Sequence, residues 1–201
     1  LNLRISFALL FLGRGEREAT SGIAFVSLFE ARDTITGSIS ALVMAVRTVL
    51  VCETQVPFVR GGAELLVQQL VDELRQRGFE TDRVSVPFKW YPKTELLPHA
   101  AAWGLLDLSE SNGRPVDLVV ATKFPTYLAR HPRKVCWLVH QHRAAYELAD
   151  TAYSDFAHEE LDVALRDRLM QIDERALGEC AGRYTISRTV TARLLRYNGL
   201  D

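Results

Sequence analysis

Two adjacent glycines, Gly61 and Gly62, stand at the start of a segment with helical periodicity. Glycine lets the backbone approach a ligand closely. The first N–H groups of a helix and its positive dipole end favour an anion such as phosphate. The alternative interpretation is a tight turn that packs the helix against the preceding strand, and the residues alone support the two about equally.

His140 and His142 are separated by one residue at the end of an apolar run, so both could point to one side of a strand. Three interpretations remain open. They could form a metal pair, as in some hydrolases, although further ligands at suitable spacing are missing. Either could be structural, bonded to the backbone in a loop. One of them could instead donate a hydrogen bond or carry a proton beside a sugar or phosphate ligand.

Two basic residues, Lys123 and Arg143, follow neighbouring strand-like runs. A single Lys or Arg is usually solvated, but two at adjacent strand ends could clamp an anion. Tyr146 and Trp137 are interpreted as packing residues. The sequence therefore offers a glycine turn, two histidines and two cations as candidates for one anion site.

The glycine loop matches neither of two common nucleotide-binding loops. It is too long for the tight G-x-G-x-x-G turn, which is absent, and the second strand ends in Ser85-Val-Pro without an acid to bind a ribose hydroxyl. No Walker loop with Lys-Ser or Lys-Thr is present either. The pattern indicates phosphate or diphosphate contact of another kind.

These residues lie at the ends of strands in a strand–helix alternation that starts after Met44. Strands are predicted over 49–52, 81–86, 116–121, 134–139 and 183–187, helices over 63–74, 94–108, 161–176 and 190–197, and a turn over 111–115. The alternation predicts an α/β fold, a Rossmann-like parallel sheet with helices on both faces. Ligands bind such sheets at the carboxyl ends of the strands, which selects the loops after Cys52, Ala121 and Val139.

The chain has 201 residues, a net charge of −1 and 48% hydrophobic residues, which suits one good-sized domain and gives no indication of nucleic-acid binding. The three cysteines lack C-x-x-C spacing, and two lie in apolar runs, which indicates buried free thiols in a reducing compartment such as the cytoplasm. No apolar run is long enough to span a bilayer, which leaves peripheral association with the inner face of a membrane open.

Residues 1–43 do not share the alternation. The apolar run 5–12 faintly resembles a signal-peptide core but lacks a clear small-x-small cleavage site. We expect the natural protein to start at Met44, with 1–43 as upstream sequence or a poorly ordered extension. Recovery of a tryptic peptide from residues 18–32 out of the native host would contradict this expectation.

Three ordered motifs in 44–201 resemble the N-terminal domain of family 4 glycosyltransferases of the GT-B type. They are the run 49–64, which ends in Gly61-Gly-Ala-Glu, the run from Lys123-Phe-Pro-Thr-Tyr to His131-Pro-Arg-Lys-Val-Cys-Trp-Leu-Val-His-Gln-His-Arg, and the closing Thr185-Ile-Ser-Arg … Arg193-Leu-Leu-Arg-Tyr-Asn-Gly. The resemblance implies two Rossmann-like domains across a cleft, with the acceptor on the N-terminal one and the nucleotide-sugar on the C-terminal one. The second domain would follow Asp201, so we expect no measurable transfer by this chain alone.

The resemblance implies transfer of a sugar from a nucleoside diphosphate-sugar, a co-substrate, to a hydroxyl of a sugar, lipid or small-molecule acceptor, with retention of configuration. No cofactor or metal is expected, because GT-B enzymes generally need none and no D-x-D motif is present. The implied site residues are His140 beside the sugar as the catalytic residue, and Gly61, Gly62, Lys123, Arg143 and Ser187 around the phosphates or in the cleft.

Two alternatives come from other functional classes. One is a non-enzymatic Rossmann-like module that binds an anionic ligand or a partner. The other is a metal-dependent hydrolase that uses His140 and His142, which metal analysis of the purified protein would separate from the rest. The DNA downstream of residue 201 would show whether an open frame encodes a second βα domain with an acidic pair.

Overall fold

The computed structural model of the chain describes residues 46–200. The expectations for residues 1–43 and for a start at Met44 lie outside this range. In chain order the elements are β1 (Thr48–Gln55), α1 (Gly62–Gln76), β2 (Glu80–Pro87), α2 (Leu96–Leu105), β3 (Glu110–Ser111), β4 (Arg114–Pro115), β5 (Leu118–Lys123), β6 (Lys134–His140), α3 (Glu160–Gly178), β7 (Gly182–Thr185) and α4 (Arg188–Asn198).

Five parallel strands form the main sheet, in the order β2-β1-β5-β6-β7. The short strands β3 and β4 pair separately as an antiparallel hairpin. The hairpin turn uses Asn112 and Gly113 at φ 57° and 75°, as expected for the turn type that needs two positive φ angles. The α/β, Rossmann-like fold predicted from the alternation is confirmed.

Helices cover both faces of the sheet because successive strand residues point to opposite sides. On one face, Val51, Val120 and Trp137 pack with Leu70 and Leu74 of α1. On the other face, apolar residues of β5 and β6 pack with apolar residues of α2, α3 and α4. The strand residues include Ala121, Cys136 and Leu138, and the helix residues include Leu96, Ala100, Leu169, Leu177 and Leu194. All six residues of β5 are buried, so this strand forms the middle of the core.

The predicted helix 94–108 differs from the structure at both ends. A 3₁₀ turn, Lys93–Glu95, precedes α2, which ends at Leu105. Pro98 lies in the first turn of α2, where a helix N–H has no intrahelical partner and proline is tolerated. The last strand ends at Thr185 rather than at residue 187, because Ser187 caps the next helix.

The strand order places the topological switch point between β1 and β5. The chain leaves β1 for β2 on one side and returns to β5 on the other. Ligands of open parallel sheets bind at the carboxyl ends of the strands at such a point. This selects the start of α1, the end of β5 and the neighbouring end of β6. Within residues 46–200, no helix is both long and apolar enough to cross a membrane.

Candidate functional site

The glycine turn forms the N-terminus of α1. Gly61 is the N-cap residue, with extended backbone, and its N–H donates to Glu64 Oε2 at 2.8 Å. This is the side-chain half of a capping box, in which the third helix residue bonds back to the cap. The N–H groups of Gly62 and Ala63 have no partner inside the helix, since the first turn never supplies one.

Steric space does not explain why Gly62 is a glycine. A Cβ atom built there would meet nothing within 4 Å, and neither Gly61 nor Gly62 has a positive φ. A Cβ at Gly61 would come within 3.2 Å of Glu64 Oε2. The packing-turn interpretation therefore gives no reason for the second glycine. Close approach of a ligand to the backbone does give one.

Lys123 lies at the end of β5 and is buried. Its Nζ is 2.8 Å from Glu64 Oε1, so Glu64 connects the start of α1 to the end of β5. Burial opposes ionisation of Glu64, but the bonds from Lys123 and Gly61 prevail and hold the pKa of the carboxyl below its usual value. Sequence reasoning did not pair Glu64 with Lys123. The three-residue spacing from Gly61 was the available signal for its capping role.

His140 ends β6 and is the register partner of Lys123. Its Nδ1 is 2.6 Å from the carbonyl oxygen of Gln141. Because a carbonyl only accepts, Nδ1 carries the proton, and Nε2 of the neutral ring is left as an acceptor. Burial lowers the pKa of His140, and the charges of Lys123 and Arg143 lower it further against the opposing bond to Gln141. The ring is therefore neutral at pH 7.

His142 has different surroundings. Its ring centroid lies 5.8 Å from that of Phe124 and 6.4 Å from those of Phe88 and Phe156. Burial lowers the pKa of His142 to about 4. In the described part of the chain, no group of three His, Cys, Asp or Glu side chains is placed to hold a metal ion. Aromatic rings around His142 and two cations near His140 do not suit a divalent ion, so the geometry gives the hydrolase alternative no support.

Arg143 and Ser187 are tied to other side chains. The Arg143 side chain pairs with Glu147, which also lies 3.1 Å from Arg193 Nη1. Ser187 caps α4, and its Oγ accepts from the Val190 N–H at 3.3 Å. The structure thus joins Gly61, Lys123 and His140 at the switch point, with Gly62 exposed beside them. Arg143 lies at the margin of this group, in the loop after β6, and Ser187 follows β7.

A buried polar network lies behind the loop that follows β6, and sequence reasoning missed it. Gln141 Nε2 donates to Asn198 Oδ1 at 3.0 Å, Asn198 Nδ2 donates to the Tyr146 hydroxyl at 3.3 Å, and that hydroxyl donates to Asp173 Oδ2 at 2.7 Å. The network joins α3 and α4 to Gln141, whose carbonyl holds the His140 ring. The spacing of Asp173 from Leu169 and Ala176 was the available signal, because it places the carboxyl on the core face of α3.

Asp173 is fully buried. Burial raises the pKa of its carboxyl to about 7, although the hydrogen bond from Tyr146 opposes the shift.

Comparison of the chain with protein-family models, with curated proteins and with solved structures found no match in any of the three.

Proposed function

We propose that the chain is the acceptor-side domain of a GT-B-type glycosyltransferase, which moves a sugar from a nucleoside diphosphate-sugar to an acceptor hydroxyl, and that this domain also contacts the diphosphate and the sugar of the donor. One observation carries the proposal. At the switch point, a glycine-bearing helix N-terminus, a buried lysine and a neutral histidine meet through Glu64 and the β5–β6 pairing. The motif resemblance over 44–201 supports the same reading.

Each group has a role in this proposal. The free N–H groups at the start of α1 and the Lys123 ammonium stabilise the negative charge that develops on the departing diphosphate. His140 Nε2 accepts a hydrogen bond from a sugar hydroxyl and holds the ring of the sugar. A phosphate at Gly62 competes with Glu64 for Lys123, because the lysine already pairs with that carboxylate.

The proposal is tested by amide NMR of the chain during titration with UDP-glucose and, separately, with inorganic pyrophosphate. We expect shifts at Gly62, Ala63 and His140. Gly62→Ala should raise the free energy of unfolding by about 0.5–1 kcal/mol, because alanine fits the open space and favours a helix. The same change should weaken binding several-fold, because the methyl group covers the backbone.

Gly104→Ala is the matched control. Gly104 is also a helical glycine with open space around it, in α2. The Gly104→Ala variant should gain a similar free energy of unfolding. It should bind UDP-glucose and pyrophosphate as the unchanged chain does. Equal binding by Gly62→Ala, or no shift at the α1 N-terminus, would exclude the phosphate contact.

His140→Ala separates a transferase domain from a general anion-binding module. We expect it to weaken binding of UDP-glucose but not of pyrophosphate, since only the sugar offers hydroxyls to Nε2. Equal affinity of the unchanged chain for both probes, with no effect of His140→Ala, would favour the anion-binding module.

A further inference from the structure

Two neighbouring loops at the carboxyl edge of the sheet present large apolar side chains to solvent. Gln55 of β1 pairs with Pro87 of β2, so the loops 56–61 and 88–92 leave the sheet side by side. Their most exposed apolar residues are Phe58, Val59, Trp90 and Tyr91, at 108%, 55%, 48% and 69% exposure. We call these four residues the aromatic loop surface.

Phe58 occupies a position that suits glycine. The Val59 N–H donates to the Val56 carbonyl at 3.1 Å and closes a turn with Pro57 and Phe58 in its centre. The φ of Phe58 is 65°, which is the third position of a type II turn, where glycine is preferred. A bulky residue there is strained, and this one is fully exposed. Folding therefore gives no reason for the phenyl group, whereas binding does.

The two segments that carry the aromatic loop surface contain basic side chains and no acidic ones. Segments 56–62 and 88–93 contain Arg60, Lys89 and Lys93 and no acidic residue. Lys93 is neutralised by an ion pair with Asp162 at 2.6 Å, and Lys89 lies 3.8 Å from Glu95. Arg60 has no ion pair among those found in the described residues, so it supplies an available cation beside Phe58.

A shallow groove of about 350 Å³ lies along the second loop, and Pro57 of the first loop also lines it. Its lining is mostly aromatic rings and prolines: Pro57, Pro87, Phe88, Lys89, Trp90, Tyr91 and His99. A standard protein interface uses about 20–30 residues a side, and two short loops offer far fewer. Phe58 projects from a tight turn into solvent. A projecting ring suits insertion between lipid molecules better than contact with a flat protein surface.

We propose that the aromatic loop surface inserts into the interface of an anionic lipid bilayer. Trp90 and Tyr91 suit the headgroup level, where such rings concentrate, and Phe58 reaches the acyl boundary. Arg60, the available cation of the two loops, meets the anionic headgroups. This binding does not depend on the proposed transferase activity. One corollary does rest on that function: because the surface shares an edge of the sheet with the site, the acceptor would be a membrane-borne lipid.

The test is co-sedimentation of the full chain with vesicles of phosphatidylcholine alone or mixed with phosphatidylglycerol, at low and high salt. We expect roughly fivefold tighter binding to the mixed vesicles and loss of that gain in high salt. Tryptophan emission should shift to the blue on binding. The shift reports Trp90, because Trp103 and Trp137 are already buried.

Phe58→Gly distinguishes binding from folding. Glycine suits the positive φ, so this variant should unfold at a higher temperature than the unchanged chain, while its vesicle affinity falls about tenfold. Arg60→Gln should weaken binding and reduce the salt dependence. Leu105→Ser is the control, because Leu105 is an exposed apolar residue at the end of α2, and it should bind as the unchanged chain does.

Three results would overturn the proposal: no sedimentation with the mixed vesicles, equal affinity of Phe58→Gly and the unchanged chain, or self-association that Phe58→Gly abolishes. The last result would assign the surface to a second copy of the chain. None of these measurements needs turnover or a sugar nucleotide. Failure of vesicle binding therefore leaves the transferase proposal standing, and the reverse also holds.

Discussion

At the scale of single residues, Glu64 pairs with the ammonium group of Lys123 and caps α1. Its two oxygens accept from the Gly61 N–H and from the Lys123 ammonium, so the carboxylate occupies the place beside Lys123 that a ligand phosphate would take. Glu64→Gln keeps an acceptor for Gly61 but loses the ion pair. We therefore expect this variant to bind pyrophosphate more tightly, because Lys123 no longer has a competing anion.

The same substitution should change stability in a pH-dependent way. The pKa of Glu64 is lowered in the folded chain, so its stabilising effect is present above the unfolded pKa and is lost as pH falls through the folded one. Glu64→Gln should cost about 1 kcal/mol at pH 7 and nothing in strong acid. Urea unfolding over a pH series checks this against Glu174→Gln, an exposed change on α3. A constant difference at every pH would contradict it.

His140 should report the charge of Lys123 directly. The lysine charge helps to lower the pKa of His140, so Lys123→Met should raise that pKa, although burial keeps it below the usual value. NMR titration of the imidazole Cε1–H measures the change. Arg133→Gln is the control, because Arg133 precedes β6 at the opposite edge of the sheet and pairs with Asp117. An unchanged His140 pKa in Lys123→Met would show that the two groups are not coupled.

At the scale of elements, Ser187 fixes the start of α4. Its Oγ accepts from the Val190 N–H, so Ser187→Ala should lower the free energy of unfolding by about 1 kcal/mol. Ser187→Asp should retain most of the stability, because aspartate also caps and its charge suits the helix N-terminus. Urea denaturation of both variants measures this. Weaker pyrophosphate binding by both variants would show that Ser187 also contacts the ligand, as the family resemblance implies, whereas weaker binding by Ser187→Asp alone would reflect repulsion by its charge.

Elements with sustained periodicity were predictable from the sequence. The apolar stripes of α1, α3 and α4 and the strands β1, β5 and β6 lie where the patterns placed them, within a few residues at the ends. The 3₁₀ turns Thr126–Leu128 and Arg143–Ala145 were not predicted, because three residues carry no period. β5 also extends through Lys123, since neighbouring strands, rather than residue preference, decide where a strand ends.

At the scale of the whole molecule, the edge of the sheet that carries the candidate site was predictable, but the contacts between its residues were not. Alternation and the switch-point rule place the loops after β1, β5 and β6 together. The pairing of Glu64 with Lys123 joins residues 59 positions apart. It depends on which strands are neighbours, and local patterns do not encode strand order. The hydrogen-bond network from Asp173 to Gln141 was not predictable for the same reason, because its members lie on three separate segments of the chain.

Two buried groups give the molecule opposing pH dependences. The pKa of Asp173 is about 7 in the fold against a usual value of 3.8, so the folded chain holds an extra proton and loses stability as pH rises through this range. The pKa of His142 is about 4 against 6.5, so the unfolded chain holds the extra proton and stability falls as pH drops below 6.5. Between about pH 4 and 6.5, the extra proton on Asp173 in the folded chain is balanced by the extra proton on His142 in the unfolded chain. These two groups together therefore leave the free energy of unfolding nearly independent of pH in this range.

Asp173→Asn removes the titrating carboxyl of Asp173, while the amide oxygen can still accept the hydrogen bond from the Tyr146 hydroxyl. Stability of the variant should then rise with pH between about 4 and 6.5, by roughly 1.4 kcal/mol per unit for one proton, and its maximum should move to higher pH. Above pH 7 it should exceed the unchanged chain by a few kcal/mol, because no buried carboxylate remains to ionise. Urea midpoints over the pH series, with the exposed Asp167→Asn as control, measure both effects. If Asp173→Asn is instead less stable at every pH, the carboxyl stays ionised in the fold and the network is held by its charge.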